Sequence, residues 1–384
     1  MPKVSVVIPT FNRASLVWQA VDSVLQQSMS DLEVIVVDDG STDDTQNVLG
    51  RYADDPRVRL VAQANAGRSL ARNLGASLAG GEWVGFLDSD DRYLPNCLAD
   101  HLKASEEKPA SDLTLGGYDY VSDTGSVLGE RRPWLETADL SVSSWLFNCL
   151  AMPGSILVRR SWFERVGGFD RQCEIAEDWD LFLRLALNAC PMQWVRSKVC
   201  QYRLHSGNSV RTLALHQQGS WLALKKVFAL PSLDPSLQQK QPEVFSHLQL
   251  LFAQRALALG EFALARDYVR AAVDPISALS ARRRIEMAEF VLSRDYSEST
   301  RTHPPEVLAL VRDELALSTG ELRKAQARSL MKQFFFYRQT GRHQQATRFL
   351  HAALKLDLSW LSNRGVVSHL LRLTPKQVQS DRHD

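Results

Sequence analysis

Val4 to Ile8, Glu33 to Val37, Val58 to Ala62 and Trp83 to Leu87 are nearly unbroken apolar runs. Runs of this length and β-branched content predict strands buried on both faces of a mostly parallel sheet. After the first run, Leu16, Val17, Ala20, Val21, Val24 and Leu25 recur at helical spacing behind Ser15, which reads as an N-cap. The Ser41-to-Asp44 spacing resembles a capping box for the next helix. The resulting βαβαβ order implies a doubly wound α/β domain, and in such sheets ligands bind outside the carboxyl ends of the strands. The positions just past the four runs are Pro9 to Arg13, Asp38 to Ser41, Gln63 to Arg68 and Asp88 to Asp91. All four segments are polar and turn-forming.

Beyond about Leu213 the β-branched runs stop and Leu, Ala, Gln and Arg dominate with helical periodicity. This change of texture divides the chain into an α/β domain, 1–212, and an all-α domain, 213–384. Pro231 to Pro235 and Gln238 to Pro242 read as breaks. Ala258-Leu-Gly260-Glu-Phe-Ala-Leu-Ala265, running on to Asp274-Pro275, and Gln339-Thr-Gly341-Arg-His-Gln-Gln-Ala346 share one form. Both resemble tetratricopeptide hairpins, in which a Gly turns the chain and small residues let two helices approach. Two legible copies without a fixed period between them fit a plain helical bundle equally well. Either arrangement offers a surface for a protein partner.

Composition sets limits on these readings. With 384 residues, 45% of them hydrophobic and 23% charged, the chain can bury a substantial core. A formal net charge of +1 supplies no bulk field for nucleic acid or an anionic membrane. The five cysteines, without a Cys-x-x-Cys pair, argue against a disulfide framework or a structural zinc site and for a reducing compartment. No stretch has signal-peptide form and no apolar run is long enough to span a bilayer. The expected location is cytoplasmic, free or peripheral to the inner face of a membrane.

The candidate chemistry lies on the polar segments. Asp88-Ser89-Asp90-Asp91 places three carboxylates in four positions at a sheet mouth. They repel one another unless a cation offsets them, and hard cations such as Mg2+ and Mn2+ prefer carboxylate oxygen. Metal binding, with Asp90 as ligand, is therefore favoured over helix capping ahead of Leu94-Pro95. In Asp38-Asp39-Gly40-Ser41 a carboxylate can accept hydrogen bonds from a base or ribose, although an acidic turn with a helix cap explains it too. Arg68 and Arg72 can grip phosphate or hold the Asp cluster in a salt bridge. Glu177, Asp178 and Asp180 open a helix whose apolar face is Leu181, Phe182, Leu185 and Ala186, and for Glu177 and Asp180 the helix-dipole role is expected. A single His is usually structural, but the Tyr202-to-Ser209 turn could also offer Arg203 and His205 to a diphosphate and its metal.

The ordered set Val6 to Arg13, Val36 to Asp43, Ala71-Arg72-Asn73, Phe86 to Asp91, Gly167-Gly168-Phe169-Asp170, Ala176 to Asp180 and Tyr202-Arg203-x-His205 resembles the inverting family 2 glycosyltransferases of GT-A fold, from Val4 to about Val210. The resemblance implies that Pro9, Thr10 and Asp39 lie along the nucleobase and ribose, with Asp88 near the ribose. It implies Asp90 on a Mn2+ or Mg2+ ion bridging the diphosphate, His205 near that ion, and Asp178 as catalytic base. Asn12, Arg13, Asn65, Arg72 and Ser89 complete the set expected to hold the nucleotide sugar, a UDP-sugar by expectation. The acceptor is a hydroxyl on a glycan, a lipid-linked sugar or another molecule. The chain lacks the Gln-x-x-Arg-Trp of the processive synthases after the base, so addition of one sugar, in cell-surface or capsular glycan synthesis, is expected. A catalytically idle nucleotide-sugar-binding scaffold is the alternative. A nucleotidyltransferase would need a Gly-rich phosphate loop with Lys, which Pro9 to Arg13 does not supply.

Overall fold

The computed structural model describes residues 2–107, 111–173, 175–205, 213–274, 279–293, 303–363, 365, 366 and 369. The strands are β1 (Val4–Thr10), β2 (Leu32–Asp38), β3 (Val58–Ala62), β4 (Trp83–Phe86), β5 (Arg92–Tyr93), β6 (Leu113–Val121), β7 (Val127–Arg131), β8 (Ile156–Arg159) and β9 (Met192–Arg203). The helices of the first half are α1 (Val17–Leu25), α2 (Thr45–Leu49), α3 (Arg68–Ser77), α4 (Cys97–Glu107), α5 (Pro133–Glu136), α6 (Val142–Phe147), α7 (Arg160–Arg165) and α8 (Glu177–Leu187). Further along the chain come α9 (Leu213–Phe228) and α10 (Pro235–Gln238).

The strands form one sheet in the order β3-β2-β1-β4-β8-β6-β9-β5, with β7 paired to β6. From β3 to β4 all neighbours are parallel, and β1 runs in register with β2 from Val4 opposite Leu32 to Thr10 opposite Asp38. β8 is antiparallel to both β4 and β6, while β6 and β9 are parallel. The chain winds outward from β1 to β3 and then returns to β1's other side as β4. That reversal opens a crevice at the carboxyl ends of β1 and β4.

β1 is buried at every position, as its unbroken apolar run predicts. Val4, Val6 and Ile8 pack toward Val17, Ala20, Val21 and Val24 of α1. The other face receives α3, where a Cβ on Gly75 would come within 2.3 Å of Val7 Cγ1, so glycine is what lets this helix lie on the strand. β3 differs from expectation: at the sheet edge, its residues are half-buried or exposed.

Both expected caps are also replaced. The N-cap position of α1 is Leu16, without a side-chain bond, and Ser15 plays no capping part. The first turn is entered through Leu16 and Val17 N–H groups donating to the Arg13 carbonyl. Asp44 precedes α2, again without a side-chain cap bond. The polar residues there join two loops instead. Asn12 Oδ1 accepts from Thr42 N–H at 2.8 Å, Asp43 Oδ2 accepts from Ala14 N–H at 3.2 Å, and Thr45 Oγ1 accepts from Arg13 N–H at 2.9 Å.

The chain separates into two compact units, Met1–Gln238 and Gln239–Asp384. The change of texture near Leu213 therefore precedes the division, because α9 and α10 belong to the unit that holds the sheet. α9 lies against α8, with Leu213, Ala223, Leu224, Val227 and Phe228 buried. The second unit comprises α11 (Gln241–Ala258), α12 (Phe262–Val273), α13 (Ala281–Leu292), α14 (Pro305–Glu314), α15 (Thr319–Gln339) and α16 (His343–Leu356). α11 packs on α12 and α15 on α16. Gly260 (φ +77°) and Gly341 (φ +79°) make the two turns, and the fully buried Ala253, Ala256, Ala265, Ala346 and Ala353 let the helices approach. None of the five cysteines is in a disulfide, and four of them are buried. Among the described residues, no helix is long and apolar enough to cross a membrane. Residues Ser206 to Val210 and Pro275 lie outside the described residues.

Candidate active site

A cavity of about 420 Å³ opens at the carboxyl ends of β1, β2 and β4. Pro9, Thr10 and Arg13 line it from β1 and its loop, Asp39 and Asn65 from the next two loops, and Asp88, Ser89 and Asp90 from the end of β4. Phe11, Gly67, Arg68, Ala71 and Tyr202, outside the expected nucleotide set, complete the lining. Phe11 is 44% exposed, and an exposed aromatic at a cavity lip is a signal the sequence carried within Pro9 to Arg13. Thr10 Oγ1 is buried without a protein partner.

Asp39 is held by the loop after β3. Its carboxylate accepts from Gln63 Nε2 at 2.6 Å, Ala66 N–H at 2.8 Å and Gly67 N–H at 2.9 Å. Gly40 (φ +79°) brings the two loops together, since a Cβ there would lie 2.8 Å from Asn65 N. Asp38 is turned inward, accepting from Ser41 N–H and Gln46 Nε2. Asn12, with φ +52°, does not line the cavity. Its side chain ties the β1 and β2 loops together, so its place is structural.

Oxygens of Asp88, Asp90 and Asp91 lie within 4.8 Å of one another, a donor set that could hold a cation. His205 Nε2 is 2.8 Å from Asp90 Oδ2, and Arg13 Nη2 is 3.5 Å from the same oxygen. Asp91 accepts from Arg203 N–H at 2.9 Å, while its Oδ2 is buried without a protein partner. Burial, followed by the charges of Asp90 and Asp88, pushes Asp91 well above the ordinary carboxylate range. Arg203 is not offered to a ligand: Nε donates to the Asp90 carbonyl and Nη1 to the carbonyls of Ser122 and Asp123.

Arg72 also lies behind the cavity. It is 1% exposed and donates to Asp88 at 2.5 Å and to Glu177 at 2.7 Å. Of the two roles open to it from sequence, the salt bridge is the one seen. Burial would raise Asp88, but the Arg72 charge and hydrogen bond outweigh it and hold this carboxyl below its ordinary value. Glu177, 4% exposed, is thus an ion-pair partner beyond its helix-dipole position. The same helix α3 carries Asn73, which exchanges hydrogen bonds with the Phe169 backbone at 2.8 and 2.9 Å. In this way Gly167 to Asp170 is fastened beside the site.

Asp178 is half-buried in the first turn of α8 and does not line the cavity. The chain Asp88–Arg72–Glu177 connects it to the end of β4. Burial, and then the neighbouring Glu177 charge, pushes Asp178 up to about 7. It follows Ala176 in the left-handed region, φ +71°, a strained conformation for a residue with a Cβ. The apolar face Leu181, Phe182, Leu185 and Ala186 is buried as expected. Trp145 and Trp179 are core, with Trp179 Nε1 donating to the Trp145 carbonyl.

Residues 5–167 match the family model described as Glycosyl transferase family 2. A hyaluronan synthase of Pasteurella multocida is 31% identical over 59% of this chain. The chain spans 23% of that relative's length. Among solved structures, S. aureus TarS 1-349 in complex with UDP-GlcNAc superposes with a TM-score of 0.56 at 18% identity, covering 88% of this chain and 92% of that one. Mannosyltransferase PcManGT from Pyrobaculum calidifontis, in complex with GDP-Man and Mn2+, gives 0.53 at 20% identity, covering 86% and 88%. At these identities the likeness speaks for the fold, a GT-A type sheet with helices followed by a helical region.

Proposed function

Because residues 5–167 match the family 2 glycosyltransferase model, we propose that the chain moves one sugar from a nucleoside-diphosphate sugar, a UDP-sugar by preference, to an acceptor hydroxyl with inversion at the anomeric carbon. The observation that carries this reading is Asp178, a carboxyl raised to about 7 and linked through Glu177 and Arg72 to the carboxylate cluster at the cavity. A base whose affinity for protons matches neutral solution is the kind that general-base transfer needs. Relatives named as polysaccharide synthases favour a glycan product.

Pro9, Thr10 and Asp39 line the part of the cavity where the nucleoside would lie. Thr10 Oγ1 still has a hydrogen bond to make there. A divalent cation fits the donor set: Asp90, with oxygens of Asp88 and Asp91 close by, His205 adjacent, and a buried Asp91 oxygen without a protein partner. Such an ion, Mn2+ or Mg2+, would supply Lewis-acid stabilisation of the departing diphosphate. The structural neighbour solved with GDP-Man and Mn2+ supports that choice. In the transfer itself, the acceptor oxygen forms a bond to the anomeric carbon as the bond from that carbon to the diphosphate oxygen breaks. Asp178 takes the hydroxyl proton. Attack from the face opposite the leaving group inverts the centre.

Asp178→Asn keeps the shape and loses the proton-accepting oxygen. Transfer should fall roughly 10²- to 10⁴-fold with donor affinity retained. Donor affinity and turnover measured on one preparation decide it: near-normal turnover removes Asp178 from the mechanism and favours the idle scaffold. For the metal, Asp90→Ala should abolish the enhancement of UDP binding by Mn2+ in calorimetry, and full enhancement would reject the assignment.

A further inference from the structure

The segment that carries Asp178 is gripped from outside the matched family region. Helix α9 reaches it at three places. Gly219 faces its middle: a Cβ there would lie 1.8 Å from the Ile175 carbonyl oxygen and 2.7 Å from its carbon, so α9 rests directly on backbone. Lys226 Nζ donates to Asp170 Oδ2 at 2.7 Å, before the strained Ala176, and to Asp180 Oδ1, after Asp178. Asp180 is only 2% exposed, and its other oxygen accepts from Arg184 Nε at 2.8 Å. Arg184 also donates to the Val166 and Gly168 carbonyls. Asp170, Cys173 and Asp180 form a cluster with metal-ligand character, but the Lys226 ammonium already occupies it, with Cys173 Sγ 3.9 Å away.

We propose that Lys226 is a positioning residue for transfer: by bridging Asp170 and Asp180 while Gly219 bears on Ile175, α9 holds the 170–180 segment so that Asp178 meets the acceptor hydroxyl. This rests on Asp178 being the base. Among the described residues the polar partners of Lys226 are Asp170, Asp180 and Cys173, none of which lines the cavity, and it takes no proton in the reaction. Its charge is suited to the task, because a compact ammonium with three donors can serve two carboxylates from one stem. Misplacement of a reacting group by about 1 Å can cost on the order of 10²-fold in rate. Nucleotide binding, which belongs to the β1, β2 and β4 loops, should be indifferent to it.

The test compares Lys226→Met, Lys226→Arg and Asp178→Asn in the full chain. The first readout is hydrolysis of whichever nucleotide sugar the wild-type protein cleaves fastest in a panel with Mn2+. The second is UDP affinity by calorimetry, and the third is backbone hydrogen exchange over residues 171–181. Lys226→Met should lower kcat about 10- to 100-fold, leave UDP affinity within about twofold, and speed exchange across the segment. Lys226→Arg should restore most of the rate, since it returns a cation able to reach both carboxylates. Normal kcat in Lys226→Met with faster exchange assigns Lys226 to stability alone and overturns the proposal. Unchanged exchange overturns it as well. If Lys226→Met does not fold, the triple change Asp170→Asn, Asp180→Asn, Lys226→Met removes the unpaired charges, and the same three readouts apply to it. Normal turnover in Asp178→Asn would instead reject the base itself, whatever Lys226 does.

Discussion

Asp178 links two measurable quantities through one proton. In the proposed mechanism transfer requires its carboxylate form, so with the group at about 7 the rate should rise close to tenfold per pH unit below neutrality and level off above it. Stability runs the other way. The folded carboxyl binds its proton more tightly than the unfolded one, whose ordinary value is 3.8. Folding carries no penalty below that value, a growing one as pH rises toward 7, and a constant one beyond. Asp178→Asn should therefore raise Tm at pH 8 and leave it nearly unchanged at pH 3.5, where equal shifts would contradict the burial origin of the effect. The residue types at the cavity were legible because each polar segment follows an apolar run: Pro9, Thr10, Asp39, Asp88 and Asp90 all face one cavity. Arg72 was open between two roles, because its partner Glu177 lies 105 positions away and nothing local reports that pairing. Asn12 shows a related limit of local reading: a polar residue past a strand can as well bind a neighbouring loop as a ligand.

Elements were legible where one physical term dominates. β1, β2 and α8 follow from burial of continuous or periodic apolar positions. The caps of α1 and α2 did not follow; for α2, Ser41 Oγ is drawn instead to the Asn12 N–H of the β1 loop, a tertiary demand that local propensity does not contain. Helix α9 was assigned by texture to the C-terminal half. Its Leu- and Ala-rich composition matches the helices that follow it, and only Gly219 and Lys226 distinguish the surface on which it lies. A chain ending at residue 238 should unfold cooperatively and bind UDP with Mn2+. One ending at residue 212 should melt at lower temperature and expose apolar surface, because it loses Lys226 and bares the residues against which α9 packs. Equal melting temperatures would mean that α9 contributes nothing to the sheet-bearing unit.

At the scale of the molecule the two units are unlike in the reach of their contacts. The helical unit is built from neighbouring hairpins, whereas the sheet combines local βαβ turns with two distant additions, β8 between β4 and β6 and then β9. The later of the two, β9, inserts between β6 and β5. It delivers the Arg203 N–H to Asp91 and, two residues past it, His205 to Asp90. Closing long stretches of chain is the slow part of forming a sheet. The insertion of β9 therefore sets a chronology: the side of the cavity proposed for the nucleoside can assemble from the first ninety or so residues, and the surroundings of the Asp88–Asp91 cluster, the proposed cation site, are finished only when a far later strand arrives. In refolding from denaturant, the Mn2+-independent component of UDP binding should thus recover before the Mn2+-dependent component, and simultaneous recovery would show that β9 docks no later than the strands beside it.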